Sequence, residues 1–358
     1  MKYQYNLVED TLKSKKYTKL ISLFVFAVIV ILIYSNLIQN DQKEMSSCRK
    51  KSPIEINHSN VENHLYDIQV IINIFQQLSE QDFDSLIRFQ SKFNYLFENK
   101  SLKESIVLLR TLKLIAKDID EYDQELISFV QSLIVQPPVN KQPLNLENKT
   151  ITDFSQLGQS IVMSKLMKNR TNGFFIEAGA HNGEYLSNSL YFERNLNWSG
   201  LLIEPITNSF QDLLSKHRNV FALNVCLTKN KPKLIKFKMA DVLSGRIDYL
   251  NKNQLDYIPK YAKARSYETV DYYVPCFSLN TILKAIDVKN VDIFSLDVEG
   301  GEWEVLASID YDQFNFDLFC FEWFYVQKYM RNIHELMARN GFSLMAQNHI
   351  DIFYQKLK

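Results

Sequence analysis

An apolar run at 174–176 ends on an acid, Glu177, and leads through a loop containing Gly179 and Gly183 into a helical stretch. A second apolar run follows and ends on Glu204. This strand, glycine loop, helix, strand order constrains the chain more than any other segment. It is the opening unit of a Rossmann-like α/β sheet. Gly179 and Gly183 let the backbone turn tightly beneath a cofactor. Glu204 falls about 20 residues beyond the loop, where a carboxylate binds ribose hydroxyls. The pattern predicts an adenosine-containing ligand.

The glycine spacing bears on which ligand. A dinucleotide site wants G-x-G-x-x-G with helix amides facing a pyrophosphate. Here Glu177-x-Gly179-x-x-x-Gly183 has two glycines, and a carboxylate sits where a pyrophosphate would be repelled. Acidic strand ends suit a cationic ligand, and S-adenosylmethionine carries a sulfonium, an ammonium and a ribose. NAD(P) and a ligand-free βα turn stay open at this point.

A second block, 291–306, reads as a buried strand, an acidic cluster and a helix, with Gly300 and Gly301 allowing a sharp turn between them. Ligands of parallel sheets bind outside the carboxyl ends of the strands. Asp297 and Glu299 are therefore expected in the same crevice as Glu177 and Glu204. Glu302 and Glu304 can also serve as helix-start carboxylates. Asn224, near the end of a third strand, is placed where an adenine is read.

The run Asp297-Val298-Glu299-Gly300, with Ser155-Gln156-x-Gly158-Gln159 and the stretch 188–194, resembles the FkbM-type methyltransferase domain over roughly residues 151–358. With the apolar N-terminal stretch, it is similar to the Star-like subgroup of single-pass membrane proteins. The resemblance implies a class I S-adenosylmethionine-dependent methyltransferase sheet of seven strands. Its cofactor contacts would be Glu177, Gly179, His181, Gly183, Glu204, Asn224 and Asp297. Asp297 and Glu299 are the catalytic candidates. The chain departs from the family pattern at His181-Asn182 and at Asn280. The alternative implied by the subgroup is a non-catalytic membrane protein acting in secretory cargo trafficking.

Methyl transfer is a displacement at an activated carbon, so positioning dominates. An oxygen acceptor also needs a base in hydrogen-bond reach. Asp297, Glu299 and His181 are the candidates. A divalent cation on Asp297, Glu299 and Glu322 is compatible with hard-cation chemistry. The spacing assigns no metal. Glu322-Trp323 is read either as acceptor-pocket lining or as an ordinary strand end. The acceptor, whether small molecule, glycan or protein, is not written in the sequence.

The 358 residues carry no net charge and no basic tract, which argues against a nucleic-acid partner. Residues 20–38 are nearly all apolar and long enough for a hydrocarbon core. No small-residue cleavage site follows, so a signal-anchor in the lipid bilayer is expected rather than a cleaved signal peptide. Lysines 13, 15, 16 and 19 favour a cytosolic N-terminus and a type II protein of the endoplasmic reticulum and Golgi system. Sequons start at Asn57, Asn99, Asn148, Asn169 and Asn197.

The expected organisation is a tail at 1–19, the anchor at 20–38, a juxtamembrane linker at 39–60, a helical stalk or small bundle at 61–135, a linker at 136–152 and the FkbM-like domain at 153–358. Apolar residues at threes and fours, with Ser59-x-x-Glu62 and Ser101-x-x-Glu104 as capping boxes, predict the stalk helices. The stalk is also a possible homodimer surface. Core strands are expected at 174–177, 200–204, 220–227 and 316–322, closed by strands at 342–347 and 351–355, with an insertion at 233–282. Cys226 and Cys320 read as small core hydrophobes. Cys276 has no assigned partner. Cys48 is a candidate for linking two chains.

Overall fold

Strand runs of the sequence are mostly apolar at consecutive positions rather than at alternate ones, the signature of a sheet covered on both faces. The computed structural model describes residues 102–357 except 241–242, 251 and 266–268. The expected tail, anchor, juxtamembrane linker, Cys48 and the stalk up to residue 101 lie outside the described residues. Among the described residues no helix is long and apolar enough to cross a membrane.

The elements in chain order are α1 (Leu102–Ala116), α2 (Gln124–Leu133), α3 (Gln159–Leu166), β1 (Phe174–Ala178), α4 (Leu190–Leu196), β2 (Ser199–Ile203), α5 (Thr207–Ser215), β3 (Phe221–Leu223), β4 (Cys226–Leu227), β5 (Lys233–Met239), β6 (Gly245–Arg246), α6 (Lys252–Ala264), β7 (Val270–Phe277), α7 (Leu279–Ala285), β8 (Asn290–Leu296), α8 (Glu302–Ser308), β9 (Asn315–Glu322), a 3-10 turn (Phe324–Tyr329), α9 (Met330–Arg339), β10 (Phe342–Gln347) and β11 (Asp351–Lys356). The main sheet has seven strands in the order β10-β11-β9-β8-β1-β2-β3. β9, β8, β1, β2 and β3 run parallel, and β11 pairs antiparallel with both β9 and β10. This mixed sheet with an antiparallel closing pair is the methyltransferase-like version of the Rossmann fold.

Side-chain alternation splits the core in two, as the pleat requires. Ile176, Leu201, Ile203, Phe294, Phe319 and Phe321 pack on one face with α2, α7, α8 and α9. Phe175, Leu202, Ile293, Leu318, Cys320 and Phe353 pack on the other with α3, α4 and α5. Cys320 is free and buried, in keeping with its reading as a small hydrophobe.

Four sequence expectations are corrected here. Residues 102–135 do not stand apart as a stalk. Leu126, Phe129 and Val130 of α2 join the main core, with Phe129 edge-on to Phe277 at 6.0 Å between ring centroids. Leu108 and Leu109 of α1 pack against Leu234 and Tyr273 of the insertion. Val135 then bridges to Ala222, pairing with the outer strand β3. Amphipathic spacing fixes that a helix has an apolar face, and not what covers it.

The 220–227 run is not one strand. The chain leaves the main sheet after Leu223 and enters a second, four-stranded sheet in the order β4-β7-β5-β6. The insertion is therefore a small sheet plus α6. In it Cys226 and Cys276 are register partners and form a disulfide, which replaces the reading of Cys226 as a free thiol.

The helical stretch expected after the glycine loop starts only at Leu190, because Leu186 has φ +60° and residues 187–189 are held elsewhere.

Candidate functional site

The parallel strands deliver four acids to one edge of the sheet. Glu177 lies one residue from the end of β1, Glu204 directly follows β2, Asp297 follows β8 and Glu322 closes β9. The loops after β1 and β8 touch here. Asp297 N–H donates to Ala178 O at 3.0 Å, and Gly179 and Ala180 N–H both donate to Ile203 O. Gly179 has φ +85°, and a Cβ there would stand 1.9 Å from the Asp297 carbonyl oxygen. Only glycine allows this approach.

The result is a cleft of about 1000 Å³ including its open mouth. Of the residues singled out from sequence, Glu177, Gly179, His181, Glu204, Asp297 and Glu299 line it. Gly183 and Asn224 do not. Gly183, at φ +74°, turns the loop over Leu213. Asn224 faces backbone: its Nδ2 donates to Glu204 O at 2.8 Å and its Oδ1 contacts the Thr207 hydroxyl. Strand-end position alone did not reveal that Val225, Cys226 and Leu227, past the break between sheets, line the cleft in its place.

Glu177 has a different role from the one its position suggested. Its carboxylate accepts from Asn188 N–H at 2.6 Å, Ser187 Oγ at 2.9 Å and the Ser189 hydroxyl. Arg218, itself buried, donates to both serine hydroxyls, to Gly183 O and to Glu193. Glu177 therefore ties down the loop before α4.

Glu204 is 4 % exposed, and each oxygen accepts one backbone N–H at 2.8 Å, from Ile206 and from His181. Each oxygen keeps a lone pair for a further donor. Burial pushes its carboxyl up to about 8 against these two hydrogen bonds, with the Asp297 charge adding to the rise. His181 holds φ +46° and stands edge-on to Tyr185. Asn182 is a loop cap, its Oδ1 accepting from Glu184 and Tyr185 N–H. Asn280 is also structural, fixed on Ser308 O and Asp310 N–H.

At the β8 end the backbone reverses through Glu299 (φ +56°) and Gly300 (φ +105°). Fully buried Glu302 turns back to accept from Val298 and Gly300 N–H, so it shapes the loop instead of facing a ligand. Burial raises its carboxyl to about 7. Glu304 pairs with Arg246 at 3.1 Å.

Carboxylate oxygens of Asp297, Glu299 and Glu322 lie within 4.8 Å of one another. Desolvation first, and then nearby carboxylates, raises the proton affinity of all three: Asp351 and Glu177 act on Asp297, and Asp297 acts foremost on Glu299 and Glu322. Asp297 is exposed where it opens on the cleft, while Glu299 and Glu322 beside it are half-buried. Oxygen donors this close suit a shared proton or a hard cation. Trp323 turns away, its Nε1 donating to Asn348 O, which leaves Glu322 as the part of that pair at the site.

The insertion supplies contacts that sequence reasoning missed. Phe237, Ser244 and Arg246 line the cleft. The Arg246 guanidinium is 3.9 Å from the Tyr249 ring centroid and is bound to Asp248 and Glu304, so its charge is already answered. No motif marks these residues, since only the second sheet carries them to the main one.

These shifts fix a pH dependence. Glu204 and Glu302 titrate higher folded than the ordinary carboxylate value near 4.3. Their protons contribute stability that is full below the unfolded value and lost as pH rises through about 7 and about 8. The denaturant midpoint of the ligand-free chain should therefore fall between about pH 6 and about pH 8.5, with Glu204→Gln flattening the decline. A midpoint that rises across this window would contradict the burial of these acids.

Residues 177–344 match the family model described as Methyltransferase FkbM domain. No curated protein matches the chain. Among solved structures it is similar to a precorrin-6y C5,15-methyltransferase from Geobacter metallireducens GS-15, at 11% identity over 62% of this chain and 100% of that one, with a TM-score of 0.32. It is also similar to a methyltransferase FkbM from Methylobacillus flagellatus KT, at 10% identity and a TM-score of 0.36, over 76% of this chain and 60% of that chain's length. The human methyltransferase 10 domain containing protein matches at 9% identity over 64% of this chain and 95% of that one, with a TM-score of 0.30. The strand order, more than these distant likenesses, identifies the fold.

Proposed function

We propose that this chain is an S-adenosylmethionine-dependent methyltransferase that acts on an oxygen acceptor and is anchored to a membrane of the secretory pathway. The observation that carries the reading is Glu204. It is a buried carboxylate at the end of β2, held by two backbone amides and facing a cleft. A carboxylate so placed accepts ribose hydroxyls. Three features fit the rest of the cofactor. Gly179 lets the ends of β1 and β8 close together as the floor of that cleft. The acid-lined floor complements a sulfonium and repels a pyrophosphate. An unpaired side-chain oxygen also stands in the wall, at Asn188.

S-adenosylmethionine supplies, when bound, a methyl group activated by positive charge on sulfur. The chain's part is orientation and proton management. Asp297 and Glu299 open on the cleft, and Glu322 stands within reach of both. With neighbouring acids raising its proton affinity, Asp297 is suited to take the proton of an acceptor hydroxyl. The same charge disfavours an anionic acceptor.

Membrane anchoring rests on the apolar stretch 20–38. Luminal orientation gains support from the Cys226–Cys276 disulfide, since such bonds persist in oxidising compartments. The sequon residues Asn148, Asn169 and Asn197 are exposed, as glycosylation would require.

Calorimetry of the full-length chain with S-adenosylmethionine tests the proposal. Saturable binding is expected, weakened by about 1–3 kcal/mol in Glu204→Ala, the scale of lost buried hydrogen-bond partners. A folded chain that binds no S-adenosylmethionine would leave the non-catalytic, cargo-handling reading as the better account.

A further inference from the structure

Among the described residues, a buried amide oxygen in the cleft wall has no donor. Asn188 lies between the two serines that Glu177 holds, and its backbone N–H is one of the donors to Glu177. Its side-chain amide is fixed from the other side, with Nδ2 donating to Ser295 Oγ at 3.0 Å. Ser295 lies on β8 and is the register partner of Glu177 on β1. The amide thus spans the boundary between the two strands. Oδ1 is buried and has no hydrogen-bond donor. A buried acceptor without a donor is costly, and native proteins rarely keep one without a function.

Its position gives that function a direction. β1 has β2 on one flank and β8 on the other. Glu204 stands over the β2 flank, and Asn188 with Ser295 over the β8 flank. All three line the same cleft. A ligand whose ribose rests on Glu204 and which crosses β1 brings its far end to Asn188. In S-adenosylmethionine that far end is the amino acid, whose ammonium is all donor. Glu177, the acid that sequence alone matched to a cationic ligand, is already occupied by three internal donors.

We infer that Asn188 is a cofactor-contact residue whose Oδ1 receives the ammonium of the methionine end, with Glu177 and Ser295 positioning it. This rests on the proposed cofactor. It reassigns recognition of the amino-acid end from Glu177 to a neutral side chain.

The test compares two ligands on the full-length chain. S-adenosylmethionine has the amino-acid end, and 5′-methylthioadenosine keeps the adenosine but lacks that end. Asn188→Ala is expected to weaken S-adenosylmethionine about 10- to 100-fold, the range for a hydrogen bond to a charged group. It should leave 5′-methylthioadenosine within about twofold. Asn188→Asp keeps an oxygen acceptor at the same reach and should hold S-adenosylmethionine affinity close to that of the unmodified chain. It guards against an alanine variant that merely loosens the loop. Equal losses for both ligands, or no loss for either, would overturn the inference while the cofactor reading stands. Failure of the unmodified chain to bind either ligand would overturn both.

Discussion

Replacing Cys226 and Cys276 together by serine is expected to lower the unfolding free energy by about 4 kcal/mol, the loop-closure entropy for a bridge spanning 50 residues. The bond closes a loop that contains all of β5, β6 and α6 and most of β7. That loop carries Phe237, Ser244 and Arg246 to the cleft, and Cys226 is itself a wall residue. The loss should therefore appear twice, in a lower denaturant midpoint and in weaker cofactor binding. The unmodified chain treated with a dithiol reductant should behave like the double variant. An unchanged midpoint under reduction would show that the second sheet holds by packing alone. Cys276 is fully buried and Cys226 nearly so, so access to the reductant calls for long incubation or mild denaturant.

Gly179→Ala is the second large effect. At φ +85° an alanine is strained by about 1–2 kcal/mol before any contact is considered. Its Cβ would then stand 1.9 Å from a backbone oxygen, and that oxygen belongs to Asp297. A backbone atom cannot swing aside as a side chain does, so the ends of β1 and β8 must separate. A total loss of more than about 2 kcal/mol is expected, together with loss of cofactor binding, because the displaced segment is the cleft floor. Gly341→Ala is the matched control. It has a similar φ of +78°, yet its Cβ would meet only the Lys356 side chain at 3.6 Å. It should cost only the backbone strain and leave binding intact. Comparable losses of stability in the two variants would rule out the close approach as the cause.

Both variants, with Glu204→Ala and Asn188→Ala, separate the parts of the site that support structure from those left for a ligand. Glu177 and Glu302 are buried acids whose hydrogen bonds are spent on their own loops. Glu204 and Asn188 keep acceptor capacity turned to the cleft wall. From sequence all four are polar residues at or after a strand end. What distinguishes them is the number of donors the fold has already brought to each.

The sequence by itself determined the parallel core of this protein. The apolar runs of β1, β2, β8 and β9, with acids at or beside their ends and glycines after β1 and β8, follow from local rules. A strand buried on both faces must be apolar throughout, and a turn at positive φ favours glycine. Glu204 and Asp297 were legible for the same reason, since parallel strands put their carboxyl ends on one edge. Only the tertiary structure decided that residues 102–135 pack on the domain, that 220–227 divides between two sheets, that Cys226 meets Cys276, and that Asn188 rather than Glu177 is left with a free acceptor. These are pairings between segments far apart in the chain. An amphipathic face, a thiol and a carboxylate each state what they need, but the partner that satisfies them is chosen by the packing of the whole domain.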